Sequence, residues 1–349
     1  MRYPAAKLES LARDFLEATG SSEDEARVVA EHMIGANLRG HDSHGVGMIA
    51  MYAQYINEGK LIPNAPLNVI KDTGPVLQLD GCRGYGQRIG REATDMAIER
   101  AKKHGICMYT IGRSCHLGRI GTYAAGMVSI HFVNVNHFFP LVAPFNGSKA
   151  RFGTNPMCVA MPGTDAHGPF ILDFATSIVA MGKTRVAYLA GKKFDEPVVL
   201  DVDGHPTNDP TPMWQEGEKG ALMAFAKHKG SGLAMACELL AGLLAHGETI
   251  QPGHERDGSI VNNMTAFMID PSVLGNLDWM KAEFDAMVDY VKSSPAPDPV
   301  NNPVLTPGEP ERLRMADRLA NGVEISDGEM AAILNVCQAA GVHHHWEVI

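Results

Sequence analysis

The chain has no excess of positive charge: 30 Lys and Arg stand against 40 Asp and Glu, a formal net charge of -10. A polyanion such as nucleic acid is therefore excluded as the main partner, and any acidic small molecule would need a local cationic pocket. There is no CxxC pair. The six cysteines, Cys82, Cys107, Cys115, Cys158, Cys237 and Cys337, are scattered, which in a chain this long reads as reduced thiols of a cytoplasmic protein rather than a disulfide frame. No apolar run approaches the length of a membrane span. The N-terminus, Met1-Arg2-Tyr3-Pro4, leads into an amphipathic segment without the apolar core of a signal peptide. No internal repeat and no HExxH motif occurs.

What remains is a 349-residue chain, 45% hydrophobic, enough to bury a sizeable core and to form two domains. Leu8, Leu11, Phe15 and Leu16 recur at helical spacing. Ser22 and Glu25 make a capping box for a second helix reaching Leu38, and Gly40 is placed to end it. An apolar stripe through Met48, Tyr52 and Tyr55 predicts a further helix, read as core packing. Strands are expected at 67–69, 76–80, 106–111, 127–133, 157–161, 170–174 and 263–269. Helices are expected from about Arg88 to Lys103, from near Thr176, over 230–246 as a buried element, and over 277–292. Residues 294–310 hold six prolines and read as an extended arm. Two short helices close the chain, the second opened by Ser326 and Glu329. The tail His343-His344-His345 reads as a solvated terminus. The class is α/β of the α+β kind, with helices concentrated at both ends. Strands and helices do not alternate as in a doubly wound sheet.

The stretch Gly40-His41-Asp42-Ser43-His44-Gly45 crowds two imidazoles, a carboxylate and a hydroxyl between glycines. Such groups donate, accept and carry protons near neutral pH. A second group, Ser114-Cys115-His116-Leu117-Gly118-Arg119, is expected to meet it across one site. His116 suits proton transfer, while neighbouring residues rarely aim at one point, so Cys115 is not read as a nucleophile. His41, His44 and His116 also offer ligands for a metal-dependent hydrolase. Gly84-Tyr85-Gly86-Gln87-Arg88-Ile89-Gly90 nearly matches the dinucleotide fingerprint, but its third glycine comes one place late. A plain strand-to-helix turn is the better reading. Lys227-His228-Lys229-Gly230 opens a helix, where free amides and positive charge suit a phosphate.

Together the motifs resemble the type-2 malate/L-lactate dehydrogenases. The likeness is carried by His41-Asp42-Ser43-His44-Gly45, His116-x-Gly118, Phe152-Gly153-Thr154-Asn155-Pro156, Asp173-Phe174-Ala175-Thr176-Ser177, Gly182-Lys183 and Lys229-Gly230-x-Gly232-Leu233. It runs from about residue 5 to about 340. The runs Asn37-Leu38-x-Gly40-His41-Asp42-Ser43-His44 and Gly118-Arg119-Ile120-Gly121 resemble its hydroxycarboxylate dehydrogenase branch most. The resemblance implies a non-Rossmann NAD(P)-binding fold with a largely antiparallel sheet over 73–274. It implies a helical domain built from 1–72 and 275–349, a homodimer, and NAD, or NADP, as cofactor. The implied substrate is a small 2-hydroxy or 2-oxo acid, with reduction of a cyclic imino acid as the alternative. By matching motifs, cofactor contacts fall on His44, on Gly118, Arg119 and Ile120, on Ile171, Leu172, Asp173, Phe174 and Ala175, on His228, on Asn262, and on Gly308, Glu309, Pro310 and Glu311. His116 would be the acid/base, with His44, Ser43 and Asp42 orienting; His44 is itself the proton donor in some members. No metal ligand is implied. Many members carry an arginine at the place of Met48, where it grips the substrate carboxylate. Arg119 and Arg151 are the candidates to replace it.

Overall fold

The computed structural model describes residues 1–343; His344 and His345 of the tail lie outside them. A seven-stranded sheet runs in the order Asn68–Asp72, Val76–Asp80, Ile106–Cys115, Val261–Ile269, Val128–Asn136, Met157–Met161, Phe170–Phe174. Only Val76–Asp80 and Ile106–Cys115 pair in parallel; the other neighbours are antiparallel. A parallel pair needs a long crossover, and the Gly86–His104 helix provides it. The expected non-Rossmann, largely antiparallel architecture is the one found. The near-fingerprint glycines serve packing: a Cβ on Gly86 would fall 2.3 Å from the Cys115 carbonyl oxygen and 2.4 Å from that of His116. Glycine there lets the helix start directly against the end of the Ile106–Cys115 strand and the residue that follows it.

The two chain ends make one helical core. Leu8, Leu11, Phe15, Val29, Met33 and Tyr52 pack with Val323, Ile325, Met330 and Ile333. Arg2–Tyr3 pairs antiparallel with Val323–Glu324. Tyr85 and Cys115 belong to this core, while Ile89, Tyr109 and Ile111, their neighbours in sequence, belong to the core under the sheet. The residue after Cys115 therefore sits on the seam between the two cores.

Three elements differ from expectation, while the helix Leu277–Lys292 forms at the expected bounds. The strand Asn68–Asp72 joins the sheet, so the sheet begins at 68 rather than 73. The helix expected near Thr176 begins only at Met181, because the Thr176 hydroxyl binds the carbonyls of Thr154 and Asn155 and Ser177 that of Val179. Such side chains compete with helix formation. The helix His228–Leu244 is buried on one side only; Met235, Leu239 and Leu243 are 53%, 40% and 59% exposed. The helix Leu277–Lys292 buries no residue and joins the rest through Thr164–Asp285 and His167–Asp289 hydrogen bonds. Among the described residues, no helix is long and apolar enough to cross a membrane.

Candidate active site

The Glu23–Leu38 helix opens on Ser22, whose hydroxyl accepts from the Glu25 amide, and closes at Arg39 before Gly40, which is left-handed at φ +81. The chain then makes a short 3-10 turn over Asp42–His44. Two neighbours fix that turn. Asn37, buried on the helix, donates from Nδ2 to Asp42 Oδ1 at 2.8 Å and accepts from the Val46 amide at 2.9 Å. Arg318, on the Glu309–Asn321 helix, forks onto Asp42 with bonds of 2.6 and 3.0 Å. The Asp42 carboxylate thus faces a guanidinium rather than a histidine ring. It positions the turn and does not set a tautomer. Ser43 is exposed, beside Gly182 at the start of the Met181–Leu189 helix.

The turn carries His44 to His116, 72 residues away in sequence: His44 Nδ1 lies 2.9 Å from His116 Nε2, with the rings stacked at 28°. His116 Nδ1 lies 2.8 Å from the Tyr52 hydroxyl, which accepts from Gln87 Nε2 at 2.5 Å. Both nitrogens of His116 are therefore engaged inside the protein, and its ring is only 7% exposed. Burial, seconded by His41 and Arg119, lowers the His44 pKa to about 4. Burial also holds His116 well below the usual value, with His44 and His32 adding to the effect. Both are neutral at pH 7.

The residues after His116 are clamped. The Leu117 amide donates to Asn262 Oδ1, the Arg119 amide to His32 Nε2, and Tyr123 donates to the Leu117 carbonyl. A Cβ on Gly118, left-handed at φ +74, would fall 2.4 Å from His32 Nε2. Asn262 spends both amide atoms internally, its Nδ2 going to the Asn134 carbonyl; it holds the loop and offers no side-chain atom to a ligand. Arg119 is 3% exposed, and its Nε, 4.0 Å from Asp173, has no hydrogen-bond partner among the described residues.

The other expected cofactor positions form a connected strip. The Gly121 amide donates to Asp173, and a Cβ on Gly121 would meet Ile171. The Ile171 amide donates to the Pro307 carbonyl, which brings in Gly308, Glu309, Pro310 and Glu311. The Phe225 amide donates to the Thr176 carbonyl, and the Phe174 and Phe225 rings meet edge to face, which brings in His228. Leu172 is 38% exposed, and Ala175 links the end of the strand at Phe174 to Thr176. Glu311 pairs with His41 at 3.6 Å, yet its Oε2 is buried without a partner among the described residues. Such an acceptor, with close-approach glycines at 118, 121 and 308, fits a ligand rich in hydroxyls and amides.

The three-histidine metal set does not form. His41 turns to Glu311, while His44 and His116 bond each other. Among the described residues, the one group spaced for a metal is Asp201, Asp203 and His205, on a surface turn. Met48 is buried in the helical core. Tyr52, Gln87, His32, Asn37 and Arg318 were not read as site residues. Tyr52 carries the one signal that could have found it: a phenol on an apolar helical stripe needs a partner for its hydroxyl.

Comparison with known proteins identifies the family. The family model of malate/L-lactate dehydrogenase matches residues 3–334. The chain is 41% identical to hydroxycarboxylate dehydrogenase B of Escherichia coli K12 over 351 aligned residues, covering 98% of this chain and 95% of that protein. It superposes with TM-score 0.93 on a solved structure assigned as a malate/lactate dehydrogenase from E. coli, at 40% identity and with 98% and 96% of the two chains covered. It superposes with TM-score 0.82 on the Δ1-piperideine-2-carboxylate reductase of Pseudomonas syringae pvar. tomato, at 25% identity and with 96% and 99% covered. Seam, histidine pair and strip lie within the matched span, and the chain belongs to the malate/L-lactate dehydrogenase family.

Proposed function

We propose that the protein is an NAD(P)-dependent oxidoreductase that interconverts a 2-hydroxycarboxylate and a 2-oxocarboxylate. The observation that carries this reading is a neutral, hydrogen-bonded histidine pair beside a buried arginine and a glycine-bordered strip. When bound, the nicotinamide supplies or takes the hydride; the chain supplies everything else. His44 is the ring that meets the substrate oxygen, because its Nε2 is the free end of a chain in which His116 is already bonded on both sides. This moves the contact role from His116, expected as the acid/base, to His44, with His116 behind it. Neutral at pH 7, the pair is ready to accept the hydroxyl proton in oxidation; in reduction it must first take one up. Arg119 holds the substrate carboxylate, the task that Met48 cannot perform. Arg151 is exposed and donates to its neighbour's carbonyl, Ala150. Ile171, Asp173, His228 and Glu311 line the cofactor's path, where Glu311 offers its free Oε2 to a hydroxyl or amide.

Two copies pair, supported by the exposed stripe Met235, Leu239 and Leu243 at four-residue spacing on the His228–Leu244 helix. Six free cysteines suit the reducing cytoplasm. The test follows absorbance of NADH and NADPH with a panel of 2-oxo acids beside a panel of cyclic imino acids, the substrate type named for the P. syringae neighbour. Turnover of 2-oxo acids is expected. Turnover of imines alone would replace the reading with imino acid reduction, and turnover of neither would remove it. Light scattering checks the dimer.

A further inference from the structure

We propose that the cofactor is NADP rather than NAD, and that Arg312 sets the preference. The adenosine end enters the cavity between the Leu277–Lys292 and Glu309–Asn321 helices, and its 2′-phosphate meets the Arg312 guanidinium. This rests on the reading of the glycine-bordered strip as the cofactor's path.

The strip runs into that cavity. At one end of it the Ile171 amide donates to the Pro307 carbonyl. Phe170 precedes the donor, and Thr306 and Glu309 flank the acceptor; all three continue as the cavity wall. The cavity measures about 360 Å³, within the range of small-molecule sites, roughly 300–1,000 Å³. Phe170, Phe284, Val288 and Leu313 give it an apolar side, which suits the flat face of a purine.

The charges around the cavity are unequal. Its basic side chains are His167, Lys292 and Arg312. His167 Nε2 lies 2.9 Å from Asp289 Oδ1, and Lys292 pairs with Glu309. Arg312 pairs with no carboxylate among the described residues; its Nη1 donates to the Pro169 carbonyl at 2.7 Å. Two glycines let the backbone close on that guanidinium. A Cβ on Gly168 would fall 2.7 Å from Arg312 Nε, and one on Gly308 3.0 Å from Arg312 Nη1. A guanidinium fixed in this way loses little freedom when it binds an anion. The formal net charge of -10 disfavours a phosphate elsewhere on the chain, so the preference must come from such a local cation.

The acid that could favour NAD is already spent. A carboxylate free to accept from the ribose hydroxyls favours NAD, while an unpaired guanidinium favours the extra phosphate of NADP. Glu309 is the carboxylate on the cavity wall. One of its oxygens takes the Lys292 ammonium, and the other accepts from the Thr306 amide and hydroxyl at 3.1 and 3.2 Å. Glu311, the other acid of that turn, faces His41 at the seam. Lys292 therefore acts twice: it neutralises Glu309, and its ammonium has further hydrogens to donate.

The experiment measures the Kd of NADPH and of NADH by fluorescence in wild type, Arg312→Met and Lys292→Met. Beside it, the rise in thermal midpoint is read with 2′,5′-ADP and with 5′-AMP. None of these readouts needs turnover. Wild type should bind NADPH at least about 10-fold tighter than NADH, the worth of one charged hydrogen-bonded partner. Arg312→Met should weaken NADPH by roughly 10- to 100-fold and NADH by much less, so that the two converge. In that variant 2′,5′-ADP should lose its advantage over 5′-AMP. Lys292→Met releases Glu309, and should weaken NADPH by about 10-fold through like-charge repulsion while leaving NADH no weaker. A wild type that prefers NADH or binds the two alike overturns the proposal, as does a preference that survives in Arg312→Met. Equal losses of both cofactors in that variant overturn it too, and leave Arg312 as a fastener of the Pro169 turn. If Arg312→Met does not fold, the wild-type ratio and Lys292→Met carry the test. Preference for NADH with turnover of 2-oxo acids would leave the proposed function standing and remove this inference alone, whereas binding of neither cofactor would remove both.

Discussion

Two regions of the molecule bury ionisable groups in hydrogen-bond networks, and they end differently. Under the His228–Leu244 helix, Glu238 accepts from Asn134 Nδ2 at 2.9 Å, from the Ile250 amide at 2.7 Å and from Asn155 Nδ2 at 2.8 Å. Asn155 donates also to the Ala234 carbonyl. That network turns inward and fastens helix, strand and loop, with Asn155 Oδ1 buried and lacking a partner among the described residues. At the seam, the chain from Gln87 through Tyr52 and His116 stops at His44 Nε2, which has no hydrogen-bond partner among the described residues. A closed network holds a fold, while an open one holds a group ready for something not yet bound.

The strongest way to break this comparison is to cut each network at its working residue. His44→Ala should lower kcat by on the order of 10³-fold, in the range of a lost general acid or base, with the thermal midpoint nearly unchanged. His116→Ala should cost less, since it removes support rather than contact. Steady-state rates of the two variants on one 2-oxo acid decide it. A His116→Ala enzyme slower than His44→Ala would return the contact role to His116. Glu238→Ala should do the opposite. Three donors lose their acceptor in a dry site, and stability should fall by about 3 kcal/mol, read by urea unfolding, with kcat kept. A large kcat loss in folded Glu238→Ala would mean that this network reaches the site.

The histidine motif was legible because glycines bracket it and a capped helix delivers it. The individual strands were legible from their apolar runs and bounding turns, and their largely antiparallel arrangement only through the family resemblance. Partners of the site were not. Arg318 lies 276 residues from Asp42, and nothing local marks it among surface arginines. Tyr52 and Gln87 sit where an apolar stripe and a turn each have a sufficient local explanation. Asn262 matched a cofactor position but spends its amide on the Leu117 loop, a choice that only tertiary contact makes. The helix near Thr176 was misread because hydroxyls that can cap a helix can equally bind the neighbouring Thr154 and Asn155 carbonyls.

Arg119 tests the same contrast on the charged side. Its guanidinium is buried, and its Nε lacks an acceptor among the described residues. Arg119→Met should raise KM for the 2-oxo acid by roughly 10- to 100-fold, the loss of one charged hydrogen-bonded partner. The fluorescence-measured Kd for reduced cofactor should change less. A larger change in cofactor Kd than in substrate KM would assign the arginine to the dinucleotide instead.

The smallest expected effect separates burial from function. His131 lies on the central sheet, 0% exposed, and neither ring nitrogen makes a well-formed hydrogen bond among the described residues. Burial lowers its pKa to about 4, with the Cys158 backbone near enough to pull slightly upward. His32, at about 3, and His44, at about 4, are lowered mainly by burial too, and His116 lies well below its usual value. In the unfolded chain each of these titrates near 6.5. Between that pH and about 4 the unfolded state binds protons that the folded state refuses. Stability should therefore fall as pH drops below 6.5 and be indifferent to these groups above it. His131→Leu removes one of the four groups without touching the seam. It should make the thermal midpoint less sensitive to acid between pH 6.5 and 5 and raise stability at pH 7 by about 1 kcal/mol, because two unbonded nitrogens leave the core. It should leave the pH profile of kcat unmoved. A shifted kcat profile would show that this closed interior ring communicates with the open pair.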